Sequence, residues 1–469
     1  MRTGTISSKF ICSQLRLDGC FNLSDGLTVR KAIEESPYGT RHISDATSDV
    51  YCPGIFKRNY VSEGIPFLGG GDIQKLNLDS GKYLKESTTP NYKELQVKYG
   101  WTLVTCGGTI GDAVFSTRLH AKCFASQHVM RIIPNSSIKE GMLYAYLASK
   151  YGKLLLTTDT YGSVIPTLNA TSIKNLPIPC FPEEFQLKVD SLVKESASLR
   201  ERASLLQSQA YALLLQDSGL IYEKPLVEEY DYYGHRPSNR TGAIFSVNRQ
   251  CFTTTTINAF NLSSRILKLK ERISSSIETK RLKDCIDEKG LFSTGSFPRI
   301  EVSPGHGIEL INQRDIFDAI VRGKSISRRG VKIDNLVKEN EIIIAGVGTL
   351  GESETFCRCV YANSFLAGKL ISGEFIRMNA SNGIPSGYLF TWLNSPYGFR
   401  LIRNTQAGTK LCRPIPALLE NIPVPILSNE QMMDIHNKAL DAQNNIALAA
   451  IREIEAITLV EKEIESWNS

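Results

Sequence analysis

The sequence predicts an α+β fold: two repeated mixed α/β domains, each followed by a long helix, with the two helices paired. Three observations predict it. First, the chain repeats itself. Ala148-Ser149-Lys150-Tyr151-Gly152 is answered by Asn394-Ser395-Pro396-Tyr397-Gly398, and Asn175-Leu176-Pro177-Ile178-Pro179 by Asn421-Ile422-Pro423-Val424-Pro425, at one common shift. Second, both halves place β-rich runs between glycine turns. Third, each half closes in a long stretch without Gly or Pro whose apolar residues step by four and three.

The size of the chain agrees with duplication. At 469 residues, 42% hydrophobic and 22% charged, there is enough chain for two domains, each with a full core. The formal net charge of +6 permits a polyanionic partner without demanding one. Eleven cysteines scatter with no C-x-x-C pair, which reads as buried, reduced thiols in a cytoplasmic protein. No run of about 18 apolar residues appears, so no membrane partner is expected.

The elements follow in order. The first domain, 1–180, holds the β-rich run Gly100-Trp101-Thr102-Leu103-Val104-Thr105, and 141–156 carries apolar residues at helical spacing. The N-L-P-I-P stretch must be extended, because proline blocks a helix there. A spacer helix, 181–220, follows. Phe185, Val189, Leu192, Ser196, Leu199, Ala203, Leu206, Ala210 and Leu213 form its heptad seam. The second domain, 221–427, repeats the scheme with Glu341-Ile342-Ile343-Ile344-Ala345 and a helical patch at 387–402 that sets Trp392 where the first copy has Tyr146. The second spacer helix, 428–469, carries Ile435, Ala439, Ala442, Ile446 and Ala449. A helix-pair interface is expected at Val189, Leu192, Leu199, Leu206, Leu213, Ile435, Ala442 and Ile446. The charged stretch 264–289 reads as an insertion that the first half matches only in part.

Motifs for catalysis are weak. Gly346-Val347-Gly348-Thr349-Leu350-Gly351 spells G-x-G-x-x-G after a strand, yet no helical stripe follows and the first copy has Cys106 at the first glycine. Gly323-Lys324-Ser325 lacks the upstream glycine of a phosphate loop, since Asp318 stands there. Ser36-Pro37-Tyr38 and Ser395-Pro396-Tyr397 are poor matches to the loop that holds a flipped adenine. The six histidines show no metal-ligand spacing. No catalytic residues and no metal ligands are assigned.

The duplicated variable regions, the helix after each, the early Arg16-Leu17-Asp18 with Phe21-Asn22, the GTIG and GTLG turns and the N-L-P-I-P and N-I-P-V-P stretches together resemble the specificity subunit of type I restriction-modification systems. The resemblance covers essentially the whole chain. It implies two target-recognition domains joined by an antiparallel coiled coil of the two helices, in a subunit that is not itself an enzyme. Each domain would read one half of a split, asymmetric double-stranded DNA target and direct adenine methylation. The partners implied are DNA adenine methyltransferase subunits, two in number, that bind S-adenosylmethionine, and restriction/translocase subunits that use ATP with Mg; no cofactor is expected in this chain. Alternatives are the same role in another phage-defence system with a different effector, or a protein-interaction scaffold that binds no DNA.

For DNA, the informative residues are Arg, Lys, Asn and Gln in the segments that differ between the halves, because guanidinium forks suit guanine edges and amides suit adenine. Lys57, Arg58 and Asn59 form one cluster, with Arg299 at the matching place; Ser325, Arg328 and Arg329 form a second, and Gln127 a third. Gln406, Lys410 and Arg413 lie in a loop that corresponds to the first-half segment containing Tyr161.

The helices also carry a geometric expectation. A helix rises about 1.5 Å per residue and DNA about 3.4 Å per base pair, so roughly two helical residues match one base pair of gap. Four residues added in step to both spacers lengthen each by about 6 Å. Modified-base sequencing of cells carrying that variant is expected to show the untouched gap widened by one or two base pairs; an unchanged gap contradicts the spacer role.

Overall fold

The computed structural model describes residues 19–158, 167–220, 255–351 and 354–467, with isolated positions at 5, 8, 246–249 and 252. Two compact units divide the chain. One joins Met1–Glu201 with Leu448–Ser469, and the other spans Arg202–Ala447.

In the first unit, helix α1 (Asp25–Glu34) precedes β1 (Thr40–His42) and β2 (Thr47–Tyr51). Next come β3 (Ile65–Leu68), β4 (Tyr83–Leu84), β5 (Thr102–Thr105), β6 (Ala113–Phe115), β7 (Phe124–Ala125) and β8 (Val129–Pro134). They form a four-stranded antiparallel sheet, β2-β8-β5-β6, and a three-stranded sheet, β4-β3-β7, in which β3 and β7 run parallel. All of β5 is buried, as a strand covered on both faces must be. Helices α2 (Glu140–Ala148) and α3 (Lys150–Thr158) follow, then β9 (Pro177–Pro179), which pairs with β1, and helix α4 (Glu183–Ser218).

The repeated words of the sequence mark the places where this scaffold is tightest. Ser149 Oγ accepts from Gly152 N at 3.1 Å, capping the first turn of α3. A Cβ on Gly152 would lie 2.2 Å from the Tyr146 carbonyl, so the sharp joint between α2 and α3 needs glycine. Tyr146 is fully buried, and its hydroxyl donates to the Pro177 carbonyl at 2.7 Å, anchoring the proline-rich strand to α2. The α2 N-terminus is held in turn by α4, where Asp190 Oδ1 accepts from Gly141 N at 2.7 Å.

The second unit repeats these contacts on new residues. Its elements are α5 (Ser264–Ser276), β10 (Thr279–Arg281), β11 (Ile308–Ile311), β12 (Lys324–Ile326), β13 (Ile342–Ala345), β14 (Cys359–Tyr361), β15 (Leu370–Ile371) and β16 (Phe375–Met378). Then come α6 (Ser386–Asn394), α7 (Pro396–Asn404), β17 (Gln406–Ala407), β18 (Arg413–Pro414), β19 (Pro423–Pro425) and α8 (Asn429–Ser466). Sheet β12-β11-β15 repeats β4-β3-β7, including the parallel pair, and β14-β13-β16 repeats β6-β5-β8. Ser395 caps α7 through Gly398 N at 3.1 Å, Trp392 Nε1 donates to the Pro423 carbonyl at 3.0 Å, and His436 Nδ1 accepts from Gly387 N at 2.9 Å. The stretch 264–289 is a correction to the sequence reading. Helix α5 and β10 stand where α1 and β1 stand, and β10 pairs with β19 as β1 pairs with β9. Its sequence had diverged while its place in the fold had not.

The two long helices contribute to both units. In the first, Val189, Val193 and Ala197 share a core with Ala456, Val460 and Ile464. Ser196 Oγ donates to the Ala449 carbonyl at 2.8 Å, and the buried Glu453 carboxylate accepts from the Tyr144 hydroxyl and pairs with Arg200. Low numbers on α4 therefore meet high numbers on α8, which makes the pair antiparallel. In the second unit Ala210 and Leu214 join a core with Met432 and Ile435. Val189, Ile435, Ala442 and Ile446 are buried, whereas Leu192, Leu199, Leu206 and Leu213 are half-buried on the flank. Each helix packs on sheet-bearing structure as well as on a helix, so its buried arc is wider than a two-position seam.

An arginine sits at the centre of each unit. Arg131 in β8 and Arg377 in β16 are both fully buried. The Arg131 guanidinium donates to the carbonyls of Leu95, Ala125, Ser126 and Val129 and lies 5.9 Å from the Tyr51 ring. Arg377 donates to the carbonyls of Asn335 and Leu336 and to both oxygens of buried Glu341, and lies 4.9 Å from the Phe292 ring. Glu341→Leu strands the Arg377 charge and is expected to cost about 3–5 kcal/mol in denaturant unfolding. Adding Arg377→Met should restore much of that loss, and a Glu341→Leu variant as stable as the parent would contradict the arrangement.

Candidate nucleic-acid interface

The candidate readers of the first unit meet on a loop rim. The segment after β2 runs exposed through Lys57, Arg58 and Asn59, and the β7–β8 turn carries Gln127 and His128. Arg58 Nη2 donates to Gln127 Oε1 at 2.9 Å, and its guanidinium lies 5.4 Å from the Phe67 ring. Two clusters some seventy positions apart in the chain are thus one surface. The turn is shaped from below, because Arg131 binds the carbonyls of Ala125, Ser126 and Val129 that bracket Gln127. Burial pushes the Arg131 guanidinium down to about 10, well below its ordinary range but still cationic near neutrality. Tyr161 lies outside the described residues.

The second unit brings its own candidates together. Ser327 N donates to the Ile300 carbonyl at 2.8 Å, and a Cβ on Gly330 would lie 3.0 Å from Pro298. That approach sets Arg328 and Arg329 beside the segment of Arg299. All three arginines are exposed, and none has a carboxylate partner among the described residues. Three unpaired cations on one edge are an electrostatic invitation to an anion. Ser325 is half-buried in β12 opposite Glu309. Lys410 and Arg413 are exposed on the β17–β18 ribbon, but Gln406 is buried and its amide oxygen finds no partner among the described residues. Its position under the ribbon, not at its tip, removes it from direct reach of a ligand. The ribbon joins the rim through Gly348, whose N–H and carbonyl both bond Cys412.

The chemistry weighed from sequence resolves into structure. Gly346–Gly351 turns between two antiparallel strands, β13 and β14, so it opens no helix and offers no dinucleotide cradle. Ser395-Pro396-Tyr397 is the capped start of α7. Among the described residues no three His, Cys, Asp or Glu side chains converge as metal ligands, and no helix is long and apolar enough to cross a membrane. Most described cysteines are buried, with Cys180 exposed and Cys52 half-buried. Cys52 and Cys106 place their sulfurs 3.3 Å apart, and the hydrogen bond between them holds Cys106 below the usual thiol range while pushing Cys52 up.

The residues that sequence reasoning missed are the supports. Arg131 and Arg377 occupy corresponding positions in strands, and an arginine inside an apolar β-run, Val129-Met130-Arg131-Ile132-Ile133, was the available signal.

Residues 53–188 match the family described as the type I restriction modification DNA specificity domain. That span begins at the exposed segment bearing Arg58 and ends in the first turns of α4. No curated protein matches the chain. Among solved structures it is similar to a type I restriction-modification S subunit from M. genitalium, at 11% identity and TM-score 0.34, covering 91% of this chain and 95% of that one. It is also similar to an HsdS subunit from Thermoanaerobacter tengcongensis, at 12% identity and TM-score 0.27, covering 92% and 99%. A third, from work on complex assembly and conformational transition of the type I R-M system, stands at 12% identity and TM-score 0.27, covering 92% and 97%.

One buried group makes the first unit acid-sensitive. His120 is fully enclosed between Thr117, at 2.9 Å, and the Ile73 carbonyl, at 3.1 Å, and burial lowers it to about 4. An unfolded histidine takes up its proton near pH 6.5, ahead of the folded one, so stability is intact above that pH and falls as pH drops toward 4. The loss between pH 7 and pH 5 is roughly 2 kcal/mol. Denaturant titrations at the two pH values should show it in the native chain and show it reduced in His120→Gln.

Proposed function

We propose that this chain, whose residues 53–188 match the type I restriction modification DNA specificity domain, is a specificity subunit that reads a split, asymmetric sequence in double-stranded DNA, one half-site per unit. It directs adenine methylation by partner subunits that supply the catalysis and bind S-adenosylmethionine. Restriction subunits using ATP and Mg would act through the same complex.

The observation that supports this reading is a constant scaffold under a changed rim. The two units share sheet order, capped helix joints and aromatic-to-proline anchors. They differ where ligands would touch. The first presents an Arg58–Gln127 pair, and the second presents Arg299, Arg328 and Arg329, none of them hydrogen-bonded to a side-chain amide among the described residues. Guanidinium forks suit guanine O6 and N7, and a glutamine amide suits adenine N6 and N7, so rims of different composition select different bases. Phosphate contacts from Lys57, Lys410 and Arg413 would add affinity that falls with salt, while base contacts add choice.

Modified-base sequencing of the native strain and of a strain lacking this chain tests the reading. A split adenine-methylated motif should vanish with the chain, and Arg58→Ala should relax one half-site while leaving the other intact. A methylome indifferent to the chain would contradict the proposal.

A further inference from the structure

The ribbon of the second unit is built to hold one side chain outward. β17 and β18 pair with Gln406 opposite Pro414 and Ala407 opposite Arg413. Three attachments hold it in place. Cys412 N donates to the Gly348 carbonyl at 2.7 Å and Gly348 N to the Cys412 carbonyl at 3.2 Å, Ile415 N donates to the Thr405 carbonyl at 2.7 Å, and Asn261 Nδ2 donates to the Gln406 carbonyl at 3.0 Å. At the tip, Gly408 takes φ +110°, and a Cβ there would lie 2.6 Å from the Leu411 carbonyl, so the turn needs glycine. The result is a leucine that is 61% exposed, next to Lys410 and two residues before Arg413. Neither cation has a carboxylate partner among the described residues.

We infer that this ribbon enters the major groove of the second half-site, where Leu411 is a specificity-determining residue packed on a thymine C5-methyl group and Lys410 and Arg413 hold flanking phosphates. The inference rests on the reading of the chain as a DNA-specificity subunit. The major groove admits a two-stranded ribbon, and most of what it displays is hydrogen-bond donors and acceptors, which a leucine cannot read. The thymine methyl is the apolar feature it can. Burying both surfaces removes apolar area from water only when that methyl is present. Cations beside the leucine match a groove walled by phosphates.

The test uses the complex of the full chain with its methyltransferase subunits and duplexes carrying its methylated motif. Each thymine of the second half-site is replaced in turn by deoxyuridine, which keeps every hydrogen-bonding group and lacks the methyl. At one position the native complex should bind about fivefold more weakly. Leu411→Ala should show the same loss on the unmodified duplex, no further loss with deoxyuridine there, and a methylated motif relaxed at that base pair alone. Lys410→Ala should instead weaken all duplexes alike. The contact is overturned if no deoxyuridine position matters, if Leu411→Ala leaves the motif unchanged, or if the second half-site contains no thymine. A native complex that binds no duplex overturns the specificity reading together with the contact.

Discussion

A guanidinium cut off from water organises each repeat. Removing a charge from water is costly, so the guanidinium demands acceptors around it. Arg131 meets that demand at both terminal nitrogens with backbone carbonyls from the β7–β8 turn and from Leu95, while its Nε has no partner among the described residues. Arg377 meets it with Glu341 and the carbonyls of Asn335 and Leu336. In both cases one side chain from the strand of a sheet ties down the segment before the central strand. Irregular loops can then be long and variable without losing position, which a surface that must present side chains to a ligand requires.

The differences between the two arginines show how one scaffold supports two surfaces. Both lie against an aromatic ring, Tyr51 or Phe292, and both reach the segment just before the central strand. Beyond that they diverge. Arg131 spends its remaining donors beneath Gln127, shaping the turn that meets Arg58. Arg377 turns to a carboxylate, and the turn after β15 carries Gly373 and Glu374 where the first unit has Gln127 and His128. Rim character shifts accordingly, from an arginine–amide pair to an arginine edge with a stiff ribbon beside it. Many scaffold contacts run to backbone carbonyls, which any residue supplies, so sequence can drift around them without moving the fold.

Some of this was legible in the chain and some was not, for reasons that can be named. The Ser-x-Tyr-Gly and Pro-x-Pro words were readable because each encodes a local need: a hydroxyl cap, a glycine where helices collide, a proline that forbids a turn of helix. The stretch 264–289 reads as an insertion because α5 keeps the amphipathic pattern of α1 but few of its residues. Gln406 looked like a reader by residue type, yet the ribbon folds over it. The pairing of Arg58 with Gln127 had no local signature at all, since it depends on a parallel β3–β7 contact that brings distant loops together.

The sequence by itself determined the duplication, the mixed α/β class, the two long helices and the family resemblance, because repeats, periodicity and turn chemistry are properties of neighbours along a chain. Only the tertiary structure decided which cations stand together, which candidate is buried, which helix face packs, and that two arginines at the same place in two copies hold different loops. Those outcomes depend on packing between segments far apart in the chain, where the cost of burying a charge or an amide is set by whichever groups the fold brings within hydrogen-bonding reach.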